Sequence, residues 1–230
     1  MTIKKIIEGF LHFRQHVRPS LAPIFSRLAD GQSPGVLLFA CSDSRVVPAR
    51  IASSEPGDVF EVRTVGNLVA PANAQGVSVG DLSEAAAVEY AVDVLGVRDV
   101  IVMGHSRCGA MKAVIDGADG LTAAPNLASW LAHAAPARAR LQALTFPSDL
   151  SDVDRLSQAN VLAQLDHVAT YPAVERATSR GELDLHGAWL DVATGDLFLH
   201  DAAQDAFLLL DEQEGKRRLD AFVRARSDRD

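Results

Sequence analysis

The chain has only two cysteines, Cys41 and Cys108, and His105 stands three residues before the second of them. Two thiolates and an imidazole are soft-to-borderline donors, a set that suits Zn²⁺. One strand-to-helix turn can offer both His105 and Cys108 to a single ion, and a helix beginning at Cys108 would favour its thiolate. Three protein donors leave a fourth tetrahedral position. Catalytic zinc keeps that position for water, whereas structural zinc closes it with another side chain. With no third cysteine, a Cys₄ or Cys₃His centre cannot be built within one chain. Asp43 is the nearby candidate for a fourth ligand, and Arg45 gives it a choice. Paired with Arg45, Asp43 leaves the position open; bound to the metal, it closes it. The plain alternative is two inert buried thiols with a histidine beside them by coincidence. Donor types and spacing alone leave those readings level.

The elements around these residues alternate. Val36–Ala40 is a continuous apolar run after the turn residues Asp30-Gly31-Gln32-Ser33-Pro34-Gly35, which suits a strand buried on both faces. Cys41 falls where that strand ends. A second strand is expected at Val59–Val62 and a third at Val100–Met103, closed by Gly104-His105. Asp81-Leu82-Ser83-Glu84 reads as a capping box, with Glu84 reaching back to Asp81, opening a helix that runs to about Leu95. Another helix starts at Gly109. This alternation predicts a parallel sheet with right-handed crossovers. In such a sheet, ligands gather beyond the carboxyl ends of the strands, where both cysteines fall. Apolar periodicity also predicts helices at 3–17, 125–142, 152–169 and 212–225, and one opened by Pro172. Leu183–Val192 and Leu197–His200 read as strands joined by the turn Thr194-Gly195-Asp196.

Composition narrows the class. A chain of 230 residues suits a single α/β domain. Thirty acidic against 22 basic residues give a net charge of −8, which argues against nucleic acid as a partner. The Lys216-Arg217-Arg218 cluster reads as a solvated helix face. No apolar run approaches the length that spans a bilayer, and the N-terminus does not read as a secretory signal, so no membrane partner is expected. Two thiols without a disulfide framework point to a reducing, cytoplasmic setting. They are not a C-x-x-C pair, so a thiol-redox role is the weaker reading.

The wording of the two motifs goes further. Cys41-Ser42-Asp43-Ser44-Arg45 with Gly104-His105-Ser106-Arg107-Cys108-Gly109 resembles the paired signature of β-class carbonic anhydrases. The likeness spans roughly residues 5–200. It includes Gly31-Gln32-Ser33-Pro34, Glu55-Pro56-Gly57-Asp58, Val62–Asn67, Glu89–Val92, Asn160–Leu165 and Leu185-His186-Gly187. The resemblance implies a mainly parallel β-sheet flanked by helices, formed by one domain over residues 1–230. A helical arm over residues 1–28 would lie across a partner subunit. It implies a homodimer, often assembled into tetramers or larger, with sites at the interface. It implies Zn²⁺ as cofactor and carbon dioxide and bicarbonate as substrate and product. By matching position, Cys41, His105 and Cys108 would bind zinc, and Asp43 with Arg45 would orient zinc-bound hydroxide. Gln32 would donate to substrate across the interface, while Phe60, Val65, Tyr90 and Gly109 would shape the substrate site.

The sequence departs from the family pattern in two places. One subtype has an inhibitory bicarbonate pocket, built with a Trp and a Tyr where this chain has Leu38 and Leu190. Arg63 matches that pocket's arginine. Trp189 sits one position early, on a strand that would face it the other way. The resemblance therefore implies the always-accessible type. Thr64 and Gly66 stand where Asn and Ala are commoner. Relatives acting on carbon disulfide or carbonyl sulfide are one rival reading, and a silent zinc scaffold is another; the scaffold would be expected to lack Asp43 or Arg45. None of the six histidines outside the motif can be named as a proton shuttle.

Overall fold

The computed structural model describes residues 2–117, 121–142 and 144–227. Their centre is one six-stranded sheet in the order β2-β1-β3-β4-β5-β6. The strands are β1 (Val36–Cys41), β2 (Val59–Thr64), β3 (Asp99–His105), β4 (Asp184–Leu190), β5 (Leu197–Asp201) and β6 (Ala206–Leu209). β1 through β4 run parallel, while β5 and β6 add an antiparallel edge. The sheet is thus mainly parallel, as expected. β2 lies on one side of β1 and β3 on the other, so the winding reverses between β1 and β3. A crevice opens beyond the carboxyl ends of strands at such a reversal. Cys41 closes β1 and His105 closes β3.

Two apolar cores hold the sheet. Alternate residues of each strand face opposite ways, so Leu37, Phe39, Val100, Val102 and Trp189 enter the larger core. Leu38, Ala40, Met103, Ala188 and Leu190 enter the smaller. Trp189 and Leu190 therefore face opposite sides, as the pleat requires.

The helices on the sheet and beyond its edges are α3 (Pro48–Ile51), α4 (Leu82–Glu89), α5 (Gly109–Asp116), α6 (Pro125–Leu131), α7 (Ala137–Arg140), α8 (Asp152–Ala169), α9 (Pro172–Ser179) and α10 (Glu212–Ser227). α8 is buried even along its polar face, and that face ties loops together. Ser157 donates to His105 O, Asn160 to Gly66 O, and Gln164 accepts from Val69 N–H. Gly104 makes this fit possible: a Cβ there would come within 2.7 Å of Val161 Cγ2.

Before β1 lies an arm of α1 (Ile3–His12), a π-helical turn at Phe13–Val17, and α2 (Arg18–Leu28). The expected helix over 3–17 thus continues to residue 28 with a widened turn in it. Pro19 has no N–H to return to the preceding turn, which accounts for the irregularity. Neither α1 nor α2 has a buried residue, yet Ile3 is 72% and Phe10 70% exposed.

Two further expectations are corrected, and one strand was missed. The run at 125–142 is broken, because Pro136 lacks an N–H to continue a helix between α6 and α7. β6 was not anticipated; a turn before Ala206 returns the chain beside β5. The Lys216-Arg217-Arg218 cluster is not simply solvated, because Arg217 and Arg218 pair with Glu214 and Asp201.

Candidate metal centre

The ends of β1 and β3 bring Cys41, His105 and Cys108 together. All three are buried, and their potential ligand atoms lie within 4.8 Å of one another. His105 is oriented by its own turn: Nδ1 lies 2.8 Å from Ser106 O, so Nδ1 carries the proton and donates. That leaves Nε2 as the bare nitrogen. It is buried and has no hydrogen-bond partner among the described residues. A metal-binding histidine is commonly held this way, with one nitrogen fixed by a carbonyl and the other aimed at the ion. An orphaned buried nitrogen beside two thiols fits zinc in donor type and number.

The two thiols divide one proton. The hydrogen bond with Cys108 pulls Cys41 down to about 4, against the opposing effect of burial and with help from His105. The same bond, with burial, pushes Cys108 up. The pair thus shares charge with Cys41 favoured over Cys108, although Cys108 stands at the N-cap position of α5, near a helix N-terminus as expected. Burial disfavours charge on His105, but the hydrogen bond and charge of Cys41, with Ser106 O and the charge of Asp43, together outweigh it and raise the imidazole. A cation bound between them would displace the shared proton.

Asp43 and Arg45 form a fork. Arg45 Nε donates to Asp43 Oδ1 at 2.9 Å and Nη2 to Oδ2 at 2.7 Å. The Arg45 N–H adds a third bond to Oδ1 at 2.9 Å. These bonds hold the Asp43 carboxyl well below the usual range. Asp43 Oδ2 still lies only 3.8 Å from His105 Nε2, at the rim of the ligand cluster.

Arg63, the match to the pocket arginine, is committed to main-chain carbonyls. Its guanidinium donates to Cys41 O, Asp43 O and Val46 O. It holds the loop that carries Cys41 and Asp43. Leu38 and Leu190 pack with Val46 and Met103 in the smaller core. Thr64 donates to Leu68 O, and Gly66 has φ of +75° with Ala110 close by, which suits glycine there.

The residues expected to shape a substrate site are only partly brought together. Phe60 and Val65 line an open cleft of about 610 Å³ with Ser42, Glu84 and Trp130. Tyr90 stands beside Phe60, ring centroids 5.9 Å apart. Val65 and Tyr90 are 45% and 44% exposed. Gly109 opens α5 next to Cys108, with nothing within 4 Å of where a Cβ would stand. Gln32 is elsewhere. It precedes β1, and Cys41 ends it, roughly 17 Å of strand away. It lines a different recess with Arg27 and Gly57, so within one chain it does not meet the centre.

Several contributors had no sequence signal of their own. Trp130 donates to Val65 O, and Asp191 accepts from Ser106, whose hydroxyl in turn accepts from Val192 N–H. Only spatial neighbours across 65 or more residues reveal them. His167, His186 and His200 bond Val69 O, Asp99 and Asp205, which are structural partners.

Comparison with known proteins agrees with the geometry. The carbonic anhydrase family model matches residues 36–197. A carbonic anhydrase of Pseudomonas aeruginosa is 43% identical over 210 residues, 91% of this chain and 93% of that protein. Carbonic anhydrase 1 of Escherichia coli O157:H7 is 38% identical, covering 90% and 92%. The solved β-carbonic anhydrase CcaA superposes with a TM-score of 0.80 at 34% identity, over 90% of this chain and 98% of that one. A tetrameric β-carbonic anhydrase from Sordaria macrospora gives 0.70 at 28% identity, over 86% and 95%. The chain belongs to the β-carbonic anhydrase family. It is an enzyme of the carbonic anhydrase class, with a Cys-His-Cys cluster compatible with a metal.

Proposed function

We propose that this protein hydrates carbon dioxide reversibly to bicarbonate and a proton, using zinc held by Cys41, His105 and Cys108. The observation that carries this is the bare Nε2 of His105 facing two thiols while Arg45 holds Asp43 beside it. Zinc bound there would lower the pKa of a coordinated water enough to supply hydroxide near neutral pH.

The chain's own groups do the rest. Arg45 keeps Asp43 charged and turned from the ligand position, so that a water has room there. Asp43 Oδ2, at the rim of the centre, accepts a hydrogen bond from the nucleophile and directs its lone pair. Carbon dioxide is small and carries no net charge, so it needs an apolar slot and no ionic clamp. Phe60, Val65 and Tyr90 supply that wall, and Gly109 leaves space beside it. Gln32 of a second copy would donate to the substrate oxygen, because its own chain places it too far away.

Self-association follows from the same reading. The apolar side chains of the arm are exposed, and Gln32 needs a partner's site. The Sordaria relatives are described as tetramers. We place the arm over residues 1–28 on a neighbouring subunit, forming at least a dimer. Leu38 and Leu190 in an apolar cluster, with Arg63 committed to carbonyls, support an always-accessible site without a bicarbonate pocket. Two reduced thiols suit the cytoplasm. No helix among the described residues is long and apolar enough to cross a membrane.

Stopped-flow hydration across pH 7–9 tests the activity. Turnover by zinc-loaded protein is expected, with loss in Cys108→Ser. No hydration, or preferential turnover of carbonyl sulfide or carbon disulfide, would overturn the assignment.

A further inference from the structure

One peptide group, between Ser106 and Arg107, joins the metal centre to helix α8. Its carbonyl, Ser106 O, lies 2.8 Å from His105 Nδ1. Its N–H, on Arg107, donates to Asp154 Oδ1 at 2.6 Å. Arg107 has φ of +55°, a left-handed conformation that a residue with a Cβ keeps only when its surroundings hold it. On its far side, Arg107 O accepts from Arg45 Nη2 at 3.1 Å. If the 106–107 peptide turned over, Ser106 O would leave His105 and the imidazole would lose the bond that sets its tautomer.

We propose that Asp154 is a positioning residue for the metal ligand His105, acting through this single peptide group; the proposal rests on the zinc reading above. Carboxylate–histidine–metal chains are a common way to orient a ligand and raise its basicity. Here the chain is lengthened by one amide: carboxylate, N–H and C=O of one peptide, then imidazole. A carboxylate on the N–H polarises the peptide and makes its carbonyl a stronger acceptor for Nδ1–H.

Asp154 is itself fixed. Ser151 Oγ donates to its Oδ2 at 2.8 Å, and the Asp154 N–H returns a bond to Ser151 Oγ at 3.2 Å. This is the cap of α8. Ser157, one turn on, donates to His105 O at 2.8 Å. α8 therefore holds the ligand turn at two points, and Asp154 is the charged one.

The test compares zinc-loaded wild type with Asp154→Ala, Asp154→Asn, Ser151→Ala and Cys108→Ser. Three quantities are read: the zinc dissociation constant by chelator competition, the His105 Nδ1–H resonance in ¹⁵N-histidine protein, and Tm. Asp154→Ala is expected to weaken zinc binding about 10–100-fold and to move the resonance upfield. Asp154→Asn keeps an acceptor for Arg107 N–H and loses the charge, so both effects should be smaller but present. Ser151→Ala frees Asp154 Oδ2 but leaves Oδ1 on Arg107 N–H, so Tm should fall while zinc affinity and the resonance change less than in Asp154→Ala. Wild-type zinc affinity and an unmoved resonance in Asp154→Ala overturn the proposal. If that variant does not fold, the same result in Asp154→Asn overturns it. A wild type that takes up no zinc, indistinguishable from Cys108→Ser, overturns the metal reading and this proposal with it.

Discussion

Arg45 holds both carboxylate oxygens of Asp43, at 2.9 and 2.7 Å, although Asp43 Oδ2 is only 3.8 Å from the unpartnered nitrogen of His105. On the proposed reading, the carboxylate is near enough to the centre to act on what binds there, and the guanidinium keeps it from being a ligand. Arg45→Gln removes the fork and should free Asp43 to close the fourth position. Stopped-flow assays should show hydration falling about 100-fold, in the range lost with a positioned acid–base group. Zinc content should stay at the wild-type level. Loss of zinc together with activity would instead mark Arg45 as a structural support only.

Arg63 holds the loop between Cys41 and Val46 by three main-chain carbonyls. Arg63→Met keeps bulk and removes the donors. Unfolding should be easier by about 2–3 kcal/mol, the range for charge-assisted bonds, with a matching fall in denaturation midpoint. Adding bicarbonate should inhibit neither wild type nor variant beyond simple product competition, since no inhibitory pocket is expected at Leu38 and Leu190.

Glu84 is buried, with Oε1 accepting from Ala70 N–H. Burial pushes its carboxyl from 4.5 up to about 7. The folded state thus keeps a proton that the unfolded chain releases above about 4.5. Stability from this group is full below that pH and is lost as pH rises through about 7. Glu84→Gln keeps the acceptor and cannot ionise. Denaturation at a series of pH values should show it more stable than wild type well above pH 7, by about 3 kcal/mol. A wild-type stability that rises over the same range would contradict this.

The arm presents Ile3, Ile7, Phe10 and Leu11 to solvent, each more than half exposed. Contiguous apolar surface of this kind marks an interface. Phe10→Glu should shift sedimentation toward the monomer and lower hydration, since Gln32 would no longer reach a neighbouring site. An unchanged sedimentation profile would separate the arm from assembly.

Local spacing put the three donors within reach of one another, but it left a metal centre level with two inert thiols, and the wording of the two motifs decided between them. Cys41 and Asp43 sit in one turn, His105 and Cys108 in another, and the apolar runs before them mark buried parallel strands. Two ligand turns at adjacent strand ends then follow from topology. Glu84 was misread. Its type and position three residues after Asp81 fit a capping box, but the side chain turns inward to Ala70, and only Asp81 caps, through Ser83 N–H. Asp154 and Trp130 were invisible, because their partners lie 47 and 65 residues away. Gln32, Phe60 and Tyr90 were named from family likeness alone. The fold of one chain brings only Phe60 and Tyr90 into contact.

The most direct test of the account is a crystal structure of the zinc-loaded protein at neutral pH, read at the metal. The account predicts zinc bound by Cys41, His105 and Cys108, a solvent oxygen in the fourth position, and Asp43 still paired with Arg45. An Asp43 oxygen at coordination distance, about 2.0–2.2 Å, with Arg45 swung away, would contradict it.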